Sequence, residues 1–217
     1  MRKITLITAV ILVTGLLMTA LNEASEQGND PFRGITNETV LPMLRNLPRR
    51  HGGMNVPAQD GRFLYDLILQ NGYRRGLEIG TSNGYSGLWI GLALQQNGGE
   101  LITLEINPRA ADEARANFRK AELDHVIEVI TADALNKIPE LTGEFDFVFI
   151  DAWKPDYHKY LLMVRDRVPR GGAITAHNVT GSARQMSDFL DAITSDSGLE
   201  TKIHRVSGQG ISVSIVK

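Results

Sequence analysis

At 217 residues the chain is long enough for one domain with a sizeable single core. Its 42% hydrophobic and 22% charged residues exclude disordered and fibrous classes, and a net charge of -2 gives no broad electrostatic footprint for nucleic acid or an anionic membrane. With no cysteine, disulfide frameworks, cysteine-bound zinc, iron–sulfur clusters and thiol nucleophiles are excluded.

Arg2 and Lys3 precede an apolar run from Ile4 to Leu21, about 18 residues free of charge, which reads as a secretory signal or membrane anchor spanning residues 1–24. A buried amphipathic helix is the alternative. Cleavage features are poor, because Met18 or Asn22 would occupy an upstream position that takes a small residue. Arg2 and Lys3 tend to keep that end cytosolic and the domain outside, while Arg33 pulls weakly the other way. Localisation therefore stays open between anchored and exported, with the domain's side of the membrane unsettled. Residues 25–34, including Gly28, Asn29, Asp30 and Pro31, have linker composition, which leaves 35–217 as the folded domain.

From Thr36 to Gln70 the pattern is helical, broken by Pro42, Pro48 and the His51-Gly52-Gly53 loop. Pro57 suits the first turn of a helix whose Phe63, Leu64, Leu67 and Ile68 share one apolar face. Strand-like runs follow at Gly76–Gly80, Leu101–Ile106, Val126–Ile130, Phe145–Ile150 and Ala173–Ala176. Helical segments separate them at Tyr85–Gln96, Pro108–Ala121 and Asp156–Val168, with another at Ser182–Ser195 after the fifth run. This alternation predicts βαβ units around a mostly parallel sheet buried on both faces. Glu200–Val206 and Ile211–Val216 are joined only by Ser207-Gly208-Gln209-Gly210 and predict an antiparallel hairpin. The fold class is thus α/β: a Rossmann-like, doubly wound, seven-stranded sheet ending in a hairpin, with covering N-terminal helices.

Open parallel sheets bind ligands beyond the carboxyl ends of their strands, so the polar residues there are the candidates. All five strand ends carry them, a concentration that random surface polarity would not place on one rim. The first strand leads into Glu78-Ile79-Gly80-Thr81-Ser82-Asn83-Gly84-Tyr85-Ser86, where glycines allow close backbone approach to a ligand. The spacing is not that of a dinucleotide-binding glycine loop, and Glu78 would repel a pyrophosphate but attract a cationic ligand. Glu105 ends the second strand and suits the two hydroxyls of a ribose. Asp133 follows the third as ligand contact or helix N-cap. Asp151, with Lys154 three residues on, follows the fourth, and His177-Asn178 follows the fifth. Asp151, His177 and Asn178 are donors for a divalent ion, or else Asp151 and His177 form a plain hydrogen-bonded pair. Lys154 reads as a solvated helix-start charge or as a general base, and Trp153 as an acceptor-pocket wall or a buried support of the loop. His51, His125, His158 and His204 show no partners in sequence and read as surface or structural.

Glu78-Ile79-Gly80 through Gly84-Tyr85-Ser86, Leu104-Glu105-Ile106-Asn107-Pro108, Phe149-Ile150-Asp151-Ala152-Trp153-Lys154, His177-Asn178-Val179 and Met54-Asn55-Val56 occur in the order found in one known family. Over about residues 40–217 the chain resembles the O-methyltransferases of the catechol and caffeoyl-CoA type. The resemblance implies S-adenosylmethionine as cofactor and a hydroxyl of a small, phenolic acceptor as substrate. By position it implies Glu105 at the ribose, Gly80 and Gly84 making room for the cofactor and Asp133 near the adenine, with Ser82, Ile106 and Ala134 as further cofactor-binding positions. Met54 and Val56 would form the entrance, Ser86 and Glu78 would face the methionine end, and Asp151 would border the cofactor. It further implies Asp151, His177 and Asn178 as metal ligands, with Asp151 and Lys154 catalytic and Lys154 the base.

One departure stands out: where the family has Asp-Asn after the fifth strand, this chain has His177-Asn178. A neutral histidine removes one negative charge, which disfavours magnesium relative to manganese or zinc and leaves a metal-free site as the other reading. The carboxylate that catechol-type members use for a second hydroxyl has no match in Ser207–Gly210. A non-catalytic S-adenosylmethionine-binding protein and a nicotinamide-dependent oxidoreductase are the rival classes. No nucleic-acid partner is expected, membrane contact is expected only through the N-terminal segment, and a homodimer is an expectation of the family.

Overall fold

In the computed structural model the described residues are 30–47 and 55–217. The signal-or-anchor segment 1–24, residues 25–29 of the linker, His51 and Met54 lie outside the described residues. Among those described, no helix is long and apolar enough to cross a membrane. Chain contacts divide the protein into residues 1–35 and 36–217. In the first unit the Arg33 N–H donates to the Asp30 carbonyl at 3.1 Å, forming a turn.

The second unit is the α/β domain. Helices α1 (Val40–Asn46) and α2 (Ala58–Asn71) precede β1 (Arg75–Ile79), α3 (Tyr85–Gln96), β2 (Glu100–Glu105), α4 (Pro108–Lys120) and β3 (Ile127–Thr131). The chain continues through α5 (Ala134–Lys137), β4 (Phe147–Ile150), α6 (Tyr157–Val164), β5 (Ala173–His177) and α7 (Ser187–Ser195). It ends in β6 (Leu199–His204) and β7 (Ile211–Val216). The seven strands lie in the order β3-β2-β1-β4-β5-β7-β6, parallel from β3 to β5. The final strand pairs antiparallel with both β5 and β6. The predicted hairpin therefore forms, but its second strand lies between the first and the rest of the sheet.

Alternation along the central strands decides what faces where. Leu77 and Ile79, Val148 and Ile150, and Ile174 and Ala176 turn into the cluster that also contains Tyr157, Leu161, Phe189 and Ile193. Glu78 and Thr103 are register partners, and both are buried with Ser86 of α3 hydrogen-bonded to Glu78. Two predicted helices are shorter than their apolar pattern suggests. Asp156–Val168 resolves into α6 and a 3-10 turn at Arg165–Arg167, and Ser182–Ser195 into a 3-10 turn at Ala183–Gln185 and α7. Helix α5 has only four residues, too few to show a helical period in sequence.

Helix α2 buries Leu64 and Ile68 as predicted, with Asp60, Gly61 and Tyr65 also buried. Gly61 is where α2 and α3 come closest: a Cβ there would run into the indole of Trp89, which is itself fully buried. Alanine is normally better than glycine inside a helix by about 1 kcal/mol. Here the overlap with an immobile ring outweighs that gain. Gly61→Ala is expected to destabilise the fold by about 1–3 kcal/mol, read as a lower urea midpoint with an unchanged slope.

Candidate active site

Two cavities open along the carboxyl ends of the strands and meet at Gly80, Ser82 and Asp151. The smaller, about 400 Å³, is bordered by Glu105, Ile106, Asp133, Ala134 and Trp153. The larger, about 520 Å³, is bordered by Val56, Tyr85, Ser86, Lys154, His177 and Asn178.

The shared border follows from backbone geometry. Gly80 has φ +98°, and a Cβ there would collide with the carbonyl of Asp151, so β1 and β4 touch through their main chains at the cleft floor. Ser82 has φ +49°, an uncommon left-handed value that aims its N–H at Glu105 Oε2, 2.7 Å away. The second oxygen of Glu105 accepts from the Asn107 N–H at 2.9 Å. These bonds fix the carboxylate while leaving lone pairs for a diol.

Several predicted positions differ in detail. Gly84, expected to make room for the cofactor, borders neither cavity; its missing side chain makes room for Phe118 of α4. Glu78 is also behind the wall. Ser86 donates to one of its oxygens at 2.5 Å and Thr103 to the other at 2.6 Å. Burial pushes its carboxyl up to about 7, against the lowering effect of those two hydroxyls. Trp153 is 68% exposed and borders the Glu105 cavity, so it is neither the buried support nor the acceptor wall that sequence suggested. Asp133 caps α5 through the Leu135 N–H, as its N-cap reading expects, and borders the smaller cavity. Away from the cleft, His125 contacts Gln95, His158 pairs with Asp188 and His204 packs on Phe63, all consistent with structural positions.

The most connected group lies at the end of β5. His177 is 3% exposed, and each of its ring nitrogens faces a carboxylate: Nε2 is 2.8 Å from Asp60 Oδ2, and Nδ1 is 3.3 Å from Asp151 Oδ2. Burial alone would lower the affinity of the ring for a second proton, but Asp151 and Asp60 together push it up to about 9. Burial likewise works against ionised Asp151, yet His177 and Lys154 hold its carboxyl below the ordinary aspartate value. Lys154 donates to Asp151 Oδ1 at 2.7 Å and to the Tyr157 hydroxyl at 2.9 Å. Burial and then Asp151 keep the Tyr157 phenol well above its usual range, so it stays a hydroxyl and reaches the His177 carbonyl at 3.3 Å. Ser207 closes the group, donating to Asp60 Oδ2 at 2.6 Å.

Asp60, Tyr157 and Ser207 were not among the sequence candidates. The three residues expected as a metal set, Asp151, His177 and Asn178, all border the larger cavity. The imidazole lies between two carboxylates, and the Asn178 amide donates to Gln209 Oε1 at 3.0 Å. Among the described residues no group of three or more His, Cys, Asp or Glu side chains is placed to hold a metal ion.

A seven-stranded sheet of this order, with a carboxylate at the end of β2 and a charged cluster across the cleft, defines a Rossmann-like α/β domain with a ligand cleft at the carboxyl ends of its strands. The chain belongs to the O-methyltransferase family, whose sequence profile matches residues 35–196. It is similar to a catechol O-methyltransferase of Niastella koreensis, 33% identical over 207 residues that cover 85% of this chain and 92% of the relative. A catechol O-methyltransferase of Mycobacterium tuberculosis is 36% identical over 169 residues, covering 76% and 74%. Among solved structures, an O-methyltransferase from Bacillus cereus in complex with SAH superimposes with a TM-score of 0.77 at 26% identity, covering 89% of this chain and 97% of its own. The O-methyltransferase TomG of Streptomyces achromogenes, in complex with SAM, gives 0.75 at 25% identity, covering 89% and 96%. The chain is accordingly a methyl-transferring enzyme.

Because folding raises the proton affinity of His177 from 6.5 to about 9, its contribution to stability is complete below about pH 6.5 and is lost as pH rises through about 9. The urea midpoint of the wild type is expected to fall over that window. Asp60→Asn, which removes one of the two carboxylates, should flatten the fall. A midpoint that holds or rises with pH would contradict this assignment.

Proposed function

We propose that the protein transfers the methyl group of S-adenosylmethionine to a hydroxyl of a small phenolic acceptor. The observation that carries this reading is the pair of cavities joined at Gly80, Ser82 and Asp151, one presenting a fixed carboxylate and the other an amine. The relatives named catechol O-methyltransferase and the neighbours holding SAM or SAH support it. The residues present fit the cofactor. Glu105 has lone pairs free for the ribose hydroxyls, and Ile106 and Trp153 offer exposed apolar surface beside it for a flat base. Asp133 and Ala134 border the same cavity and suit the polar edge of the adenine.

When bound, S-adenosylmethionine supplies an electrophilic sulfonium methyl group. The protein's tasks are then to align an acceptor oxygen with it and to remove the hydroxyl proton. Ser86 presents the methionine end, backed by Glu78, whose negative charge favours a cation nearby. Lys154 is the base: Asp151 and Tyr157 hold its resting ammonium beside the larger cavity, and after giving one proton to solvent its neutral amine takes the proton of the acceptor hydroxyl. Val56, Pro57 and Tyr85 give that cavity apolar walls for an aromatic ring, while Ser182 and Gln209 add polar contacts.

With catechol or caffeic acid as acceptor, Lys154→Ala is expected to lower turnover by about 10²–10⁴-fold while S-adenosylmethionine affinity stays within about twofold. Normal turnover in that variant would remove Lys154 from the chemistry. No calorimetric binding of S-adenosylmethionine to the wild type would remove the whole reading.

A second test concerns the buried acid. Since the Glu78 carboxyl is pushed up to about 7, its charge develops as pH rises through neutrality. The preference for S-adenosylmethionine over S-adenosylhomocysteine, which lacks the sulfonium charge, should grow between about pH 6 and pH 8. Glu78→Gln should make that preference independent of pH.

A further inference from the structure

We propose that this methyl-transfer site works without a divalent ion, its carboxylates being held instead by the cationic side chains of His177 and Lys154. The inference rests on the functional reading above and follows from where the donor atoms of His177 and Asp151 are committed. A histidine binds a metal through a ring nitrogen that carries a lone pair, usually while the other N–H is held by a carboxylate. Here both nitrogens face carboxylate oxygens, Asp60 at 2.8 Å and Asp151 at 3.3 Å. A carboxylate only accepts, so the bond to Asp60 takes an N–H from Nε2, and Asp151 facing Nδ1 favours a second N–H there over a lone pair offered to a metal.

The other donors are committed in the same direction. Asp151 Oδ1 takes the Lys154 ammonium at 2.7 Å and Oδ2 faces His177, so a metal ion at Asp151 would have to displace a cation already in contact. Asp60 Oδ2 is shared between His177 and Ser207, and only its buried Oδ1 has no hydrogen-bond partner. Magnesium and manganese need several oxygen donors around one point, and the ring occupies the space where the two acids would meet.

The ring is also anchored from outside the sheet. Asp60 belongs to α2, and Gly61 next to it sets the close approach of that helix to Trp89. The departure from Asp-Asn to His177-Asn178 thus comes with a buried acid on a separate helix that satisfies the new side chain. Nothing in the sequence pattern links the two positions, which lie 117 residues apart.

The test uses the full chain stripped with EDTA and titrated calorimetrically with magnesium or manganese chloride, with S-adenosylmethionine binding measured separately in the same buffers. The wild type should give no saturable metal heat up to millimolar concentrations. S-adenosylmethionine affinity should change by less than about twofold between EDTA and metal. His177→Asp, which converts the clamp into a set of oxygen donors, should gain saturable manganese binding that is lost again in His177→Asp combined with Asp151→Asn.

Stoichiometric metal binding by the wild type would overturn the proposal. A folded His177→Asp variant that remains silent would also overturn it, because His177 would then not be what excludes the metal. If that variant does not fold, the wild-type titration decides alone. Failure of S-adenosylmethionine to bind would strike the proposed function while leaving the metal result readable.

Discussion

Burying a carboxylate costs several kcal/mol unless its charge is matched and its oxygens are bonded, and Asp60 is fully buried in a helix that lies outside the sheet. Its match is the ring of His177, which is in turn held by Asp151 on the far side. One imidazole therefore ties α2 to the carboxyl ends of β4 and β5. Removing either acid would leave the ring with an uncompensated face, and removing the ring would bring two acids together. The arrangement of Lys154 and Tyr157 follows from the same chain, because both meet at Asp151 Oδ1 or at the carbonyl of His177.

The cleft floor has a different origin. The Gly80 and Asp151 main chains touch, so two cavities are separated by backbone rather than by a side chain that could swing away. A ligand spanning both must pass over a fixed ridge, and the groups on either side hold their spacing through the sheet itself. The left-handed residues Ser82 and Asn178 flank that ridge, where their unusual conformations direct an N–H at Glu105 and a carboxamide at Gln209.

The sheet was legible because its strands are short apolar runs buried on both faces and separated by helical periods. The cleft was legible because every parallel strand ended in a polar residue. What sequence could not show was commitment between distant side chains. Asp60 reads as an ordinary acid in the first turn of an amphipathic helix, and no local pattern marks it as the partner of a histidine at the end of β5. Tyr157 reads as a helix-start aromatic and Ser207 as a loop residue for the same reason. Gly84 sits in a glycine-rich turn that pointed to a ligand, and the atoms its missing side chain spares belong to Phe118. Glu78 borders neither cavity, since strand alternation sends it behind the cleft to meet Thr103, from where it acts on the cleft only through its charge.

The terminal strand has a bearing on how the protein is made. Strand β7 is the last regular element of the chain, yet it lies between β5 and β6 and carries the ladder that joins them. As the polypeptide leaves the ribosome, β5 emerges with an open edge and β6 has no neighbour in the sheet until β7 has followed it. The loop that precedes β7 brings Ser207 to Asp60 and Gln209 to Asn178. The wall of the larger cavity that Gln209 supplies is consequently completed only once β7 has been made, later in synthesis than the cavity beside Glu105.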